Sequence, residues 1–137
     1  MGRWYLGNLV VAEPIRRQVT LDAPPDQVWE AVTTAEHLAA WFRAGVQLDA
    51  RPGAPITVAW PDGSKSRGLV ERVEPPHRFV FRWRSMSGAG LTLTVGAPTR
   101  VEFTLEPLDD GTRTLVTVTE HDAPFPGPLS SVMSATA

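Results

Sequence analysis

Ala23-Pro-Pro-Asp-Gln-Val-Trp-Glu-Ala-Val-Thr-Thr-Ala-Glu-His-Leu-Ala-Ala-Trp-Phe42 reads as two short helices set between strand-like segments. Pro24 follows Ala23 at a helix-start position, and Asp26 falls in the first turn, where a negative charge meets the positive end of the helix dipole. Val28, Trp29 and Val32 share one face. Thr34 is placed to cap a second helix in which Leu38, Trp41 and Phe42 recur at helical spacing. Two apolar helical faces in succession need a large surface to lie against.

Downstream of Phe42 the period changes from helical to alternating. Ile56, Val58 and Trp60 alternate with Thr57 and Ala59, and Pro61-Asp62-Gly63-Ser64 supplies turn chemistry before a strand over 66–74. Pro75-Pro76 breaks the next connection. Phe79, Phe81 and Trp83 then fall on one face, with Val80, Arg82 and Arg84 on the other. Gly88-Ala89-Gly90 reads as a loop, and 91–95 as a short strand. Val101, Phe103 and Leu105 alternate with Glu102, Thr104 and Glu106; Asp109-Asp110-Gly111 turns the chain, and 114–120 returns. One face of this antiparallel sheet is aromatic and aliphatic, the other rich in Arg, Glu and Thr. Arg82 or Arg84 is expected to pair with Glu102 or Glu106 on the wet face.

The chain has 137 residues, thirteen basic and fifteen acidic side chains, and a net charge of −2. That length suits one domain over 1–137. The charge balance offers no sequence-wide attraction to phosphates, and no basic patch stands out, which argues against nucleic acid or an anionic membrane as partner. Cysteine is absent, excluding disulfides, thiolate chemistry and Cys-ligated metal, and suiting a cytoplasmic protein. Leu9-Val10-Val11-Ala12 is too short for an export signal, and no segment reaches the roughly 20 apolar residues of a membrane span.

The order of elements carries a set of short motifs: Ile15-Arg16, Ala23-Pro24, Val28-Trp29-Glu30-Ala31, Glu36-His37-Leu38, Trp41-Phe42, Val73-Glu74-Pro75-Pro76, Phe79 to Trp83, Asp110-Gly111-Thr112-Arg113 and Val118-Thr119-Glu120. Together they cover most of residues 13–121. In them the chain resembles the START-like (SRPBCC) superfamily, and within it the homologues of the activator of the ninety-kilodalton heat-shock chaperone ATPase (AHSA-type). The resemblance implies an α+β helix-grip fold, in which an antiparallel sheet curls around a C-terminal helix and two short helices close one end. Members usually end in a long amphipathic helix. Here only 129–137 is free of proline after Pro128, and at about 1.5 Å per residue it reaches roughly 14 Å. A tail that short implies a homodimer or a bound hydrophobic molecule against the sheet.

The function expected from this fold is binding of a hydrophobic or aromatic small molecule. Trp41, Phe79, Phe81, Trp83, Val101, Phe103, Val116 and Val118 would line the site, and Glu120 would be the polar contact. Two other functions go with the resemblance: a chaperone-ATPase partner, and an enzyme of the cyclase or dehydratase kind. Glu120 has the parity of Val116 and Val118, which points it at the apolar face as an acid, base or anchor. The plainer placement, preferred here, is the open strand end in water, because Glu120, His121 and Asp122 alternate in direction and form no single constellation without a kink. His37, His77 and His121 are scattered, so neither a metal nor a cofactor is expected. The serines lack a nucleophile elbow.

Overall fold

The computed structural model describes residues 15–88, 91 and 93–123. Its elements are β1 (Ile15–Leu21), α1 (Pro25–Thr33), α2 (Ala35–Phe42), β2 (Gly45–Leu48), β3 (Pro55–Ala59), β4 (Lys65–Glu74), β5 (Arg78–Ser87), β6 (Thr94–Val95), β7 (Thr99–Leu108) and β8 (Arg113–Asp122). The strands form one antiparallel sheet in the order β1-β8-β7-β5-β4-β3-β2, with β6 pairing β5 beyond the end of β7. No helix among the described residues is long and apolar enough to cross a membrane. The tail helix expected over 129–137 and most of the loop expected at 88–90 lie outside the described residues.

Alternation decides which face is buried. Phe79, Phe81 and Trp83 of β5 pair with Phe103, Val101 and Thr99 of β7, so the rings of neighbouring strands meet on one inner face. Phe79, Phe81, Val101, Phe103 and Val116 are fully buried there. Side chains of this size each contribute about 1.5–3 kcal/mol by leaving water. The helical pair covers them: Val28, Val32 and Leu38 are buried, and Trp29 meets Phe79 edge-on at 6.3 Å between ring centroids. Thr114 ties the start of the pair to β8, its hydroxyl donating to the Ala23 carbonyl at 2.7 Å. This is the α+β helix-grip arrangement of sheet and paired helices.

Thr34 separates the two helices in an extended conformation (φ −107°, ψ 131°), but its side chain makes no capping bond. Its carbonyl instead accepts the Leu38 N–H at 2.9 Å. The strand expected over 91–95 is limited to Thr94–Val95, which pairs only with Met86 and Ser87.

The outer face corrects the expected ion pairs. Arg82 stands directly opposite Arg100, an unfavourable like-charge pair. A bulge between Val70 and Arg72 leaves Glu71 out of the β4–β5 register, and such an extra residue re-aims its side chain. Glu71 lies between the two guanidinium groups, 3.0 Å from Arg82 Nε and 2.9 Å from Arg100 Nη2. Glu102 pairs with Arg78 at 2.6 Å and Arg100 at 3.5 Å. Val80, opposite Glu102 and Arg72, is fully buried on this outer face.

Gly68 faces Trp83 across β4 and β5, and a Cβ there would run into the Arg82 carbonyl. Gly68→Ala is therefore expected to cost about 1–3 kcal/mol in urea unfolding; unchanged stability would mean the two strands separate more easily than this contact allows.

The hydrogen bond from Arg100, joined by that from Arg82, holds the Glu71 carboxyl below the usual carboxylate range against the opposing effect of burial. A carboxylate with a lowered folded-state pKa contributes stability above its unfolded pKa, and that contribution is lost as pH falls through the folded value. Glu71→Gln should thus lower stability by about 1–2 kcal/mol at neutral pH. The two proteins should converge in acid; a constant gap across pH would assign the loss to packing instead.

Candidate functional site

At the end of the inner face away from Phe79, the apolar pattern of β7 and β8 is interrupted by Thr99 and Glu120. Glu120 lies opposite Val101 on β7 and Ile15 on β1, and Thr99 lies opposite Trp83 on β5. The Thr99 hydroxyl donates to Glu120 Oε2 at 2.6 Å, and Trp83 Nε1 donates to the same oxygen at 3.1 Å. The indole reaches across the width of β7 to do so. Glu120 Oε1 is buried and has no hydrogen-bond partner among the described residues. Glu120 is 4% exposed, which overturns its placement at an open strand end in water. The strand continues past it, with Ala123 N–H still bonded to the Pro98 carbonyl at 3.1 Å, and Trp83 and Thr99 supply the donors that let a carboxyl be buried.

Burial pushes the Glu120 carboxyl above the usual range; the bonds from Thr99 and Trp83 oppose this, and the like charge of Asp122 adds to it. Serine hydroxyls extend the polar end of the face toward β4. Trp60 Nε1 donates to Ser66 Oγ at 2.9 Å, and Ser66 Oγ lies 3.4 Å from Ser85 Oγ.

The apolar residues expected to line a site are brought together. Phe81 and Trp83 are 4.9 Å apart between ring centroids, Phe79 and Phe81 5.5 Å, and Phe81 and Phe103 6.3 Å. Val101 and Val116 are fully buried, and Val118 nearly so at 6% exposed. Trp41 differs from the rest: it is 39% exposed while its ring packs edge-on against Phe103 at 5.9 Å. Phe42 and Trp60, both partly buried, flank Trp83 at 6.4 and 6.2 Å. Thr99 was not among the expected site residues. Its signal was present all the same, a hydroxyl at the parity of Val101 and Phe103. Among the described residues, no group of three His, Asp or Glu side chains is placed to hold a metal.

An antiparallel sheet under two short helices, with a buried carboxyl at one end of an aromatic inner face, defines the chain as a START-like helix-grip protein. Over residues 22–131 it matches the family described as Activator of Hsp90 ATPase homolog 1-like protein, and it belongs to that family. No curated protein matches it. Among solved structures it is similar to DynU16, a protein in the dynemicin biosynthetic locus, at 30% identity and TM-score 0.66, covering 90% of this chain but only 42% of that one. CalU16 from Micromonospora echinospora is 28% identical at TM-score 0.58, with 80% of this chain and 60% of that one covered. An HSP90 activator from Plasmodium falciparum shares the fold at 17% identity and TM-score 0.62, covering 90% of this chain and 87% of that one.

A carboxyl whose folded-state pKa is raised costs stability once pH climbs above its unfolded pKa, and the cost grows until pH passes the folded value. Glu120→Gln keeps an acceptor for Thr99 and Trp83 and removes that cost. The variant should be more stable than the wild type at neutral pH, with the difference vanishing below about pH 4. Thermal unfolding across pH checks this, and a destabilised variant at neutral pH would show that the charge itself is needed.

Proposed function

We propose that the protein binds a hydrophobic or aromatic small molecule against the inner face of its sheet, with Glu120 as the polar contact. The carrying observation is the buried Glu120 Oε1, without a partner among the described residues, on the carboxyl that Trp83 and Thr99 hold at the end of the aromatic face. Buried polar atoms without partners are uncommon and costly in folded proteins, and a ligand group at that position would remove the cost. Binding sites for small molecules are mostly apolar with a few placed polar groups, which is the composition of this face. The partly exposed rings of Trp41, Phe42 and Trp60 border it and mark the side of approach. The likeness to DynU16 supports the reading, since that protein's locus is a biosynthetic one.

The second reading, contact with a chaperone ATPase, draws on the family and on the fold shared with the Plasmodium falciparum activator. It predicts a partner surface rather than an inner-face ligand.

Fluorene, a planar hydrocarbon, is a direct probe. At a hundredfold excess over its Kd it should raise stability by about 2.7 kcal/mol and shift the indole resonances of Trp41, Trp60 and Trp83. A thermal scan with amide and indole NMR reads both. Shifts confined to the outer-face arginines would displace the site. No response to a panel of aromatic and acyl ligands, together with stimulation of a chaperone ATPase, would select the second reading.

A further inference from the structure

On the outer face of β4, Lys65, Arg67 and Leu69 form a line of exposed side chains, while Ser66 between them is buried on the inner face. Leu69 is 56% exposed. Arg84 of β5 stands opposite Arg67, so strand pairing gathers positive charge that is dispersed along the sequence.

The chain supplies no carboxylate to this line. Glu71, Glu74 and Glu102, nearer the centre of the outer face, are held by Arg72, Arg78, Arg82 and Arg100. Asp49 pairs with Arg51, and Asp62 accepts from the backbone N–H and the hydroxyl of Ser64. Among the described residues neither Lys65 nor Arg67 forms an ion pair. Outside them the sequence holds one acidic side chain, Glu13, joined through Pro14 to β1 at the opposite edge of the sheet. A carboxylate at this line therefore has to come from another molecule.

The surface beside the line is low. There β3 presents Pro55, Thr57 and Ala59, and the edge strand β2 presents Gly45 and Gln47. From β4 to β2 the three strands span about 10 Å, close to the diameter of an α-helix, about 10–12 Å. Along the line Lys65 to Leu69 spans about 13 Å, and residues i, i+4 and i+8 of a helix span about 12 Å. An exposed Leu in line with two cations suits a partner that offers an apolar side chain as well as carboxylates, which a phosphate chain does not. The helical side, with Asp22, Asp26, Glu30 and Glu36 exposed and no Lys or Arg over 22–42, also repels an extended polyanion.

We propose that the outer face of β2, β3 and β4 docks an acidic amphipathic helix of a partner protein, with carboxylates one turn apart on Lys65 and Arg67 and an apolar side chain on Leu69. This surface lies on the side of the sheet away from the inner-face ligand, and its test is independent of that reading.

The probe is an Ala-rich helical peptide of about twenty residues carrying Glu at i and i+4 and Leu at i+8, titrated into the full chain and followed by amide NMR. Shifts should gather on 45–47, 55–59 and 65–69. The same peptide with both Glu changed to Gln, or with Leu changed to Ala, should bind at least about fivefold more weakly. Binding should be lost in the double variant Lys65→Glu, Arg67→Glu, with the inner-face resonances unchanged. The peptide changes leave the protein untouched, so the test stands even where the variant fails to fold. No binding at millimolar peptide, shifts on other strands, or equal affinity for the altered peptides would overturn the proposal. A single-stranded oligothymidylate binding the same strands more tightly than the peptide would assign the surface to nucleic acid and overturn it as well.

Discussion

Phe79, Phe81 and Trp83 on the inner side of β5 form the ridge on which the structure is assembled, because β5 has three strands of the sheet path on either side of it. The ridge continues onto Phe103 of β7, and the helical pair lies over it through Trp29, Trp41 and Phe42. Edge-on ring contacts add to the free energy of burial and fix how the helices sit on the sheet. The helices are only nine and eight residues long, shorter than an isolated helix needs to persist in water. Their stability comes from this contact, and the αL conformation of Arg43 that ends α2 directs the chain back into β2.

Putting the aromatic residues on one face of β5 places Arg78, Arg82 and Arg84 on the other. With Arg100 opposite Arg82, the central strands would repel one another on the outer side. The bulge at Glu71 answers that repulsion by setting one carboxylate between two guanidinium groups. It also bends the strand, so a single inserted residue serves both curvature and charge balance. Beneath this network Val80 is as buried as the rings on the inner side. The sheet is thus buried on both faces at its centre, with aromatic contacts inside and an aliphatic side chain set among charged ones outside.

The inner face has two chemically different ends. Around Phe79 and Phe103 it is apolar and packed edge-on against Trp29 and Trp41. Around Trp83 it carries Thr99, Glu120, Ser66 and Ser85, with indole N–H groups as the donors that connect aromatic and polar parts. Trp83 belongs to both, since its ring packs edge-on against Phe81 while its nitrogen holds the carboxyl. The two chemically different ends of the inner face meet at that one side chain.

Periodicity, with turn and helix-start residues, determined β3, β4, β5, β7 and β8, the two helices and the division of the sheet into apolar and charged faces, because side-chain direction alternates with a period of two in a strand and about 3.6 in a helix. That is why Phe79, Phe81, Trp83, Val101 and Phe103 were legible as one surface. Partners across strands were not legible in this way, since they depend on register, and the bulge that shifts β4 and brings Glu71 to Arg100 leaves no mark in the alternation. Glu120 is the clearest case. Its parity pointed it inward, but whether it met water or protein depended on Trp83, thirty-seven positions away, and Thr99, twenty-one away, both reaching the same oxygen. A buried carboxyl is decided by what surrounds it in three dimensions, and only the tertiary structure brings those donors together.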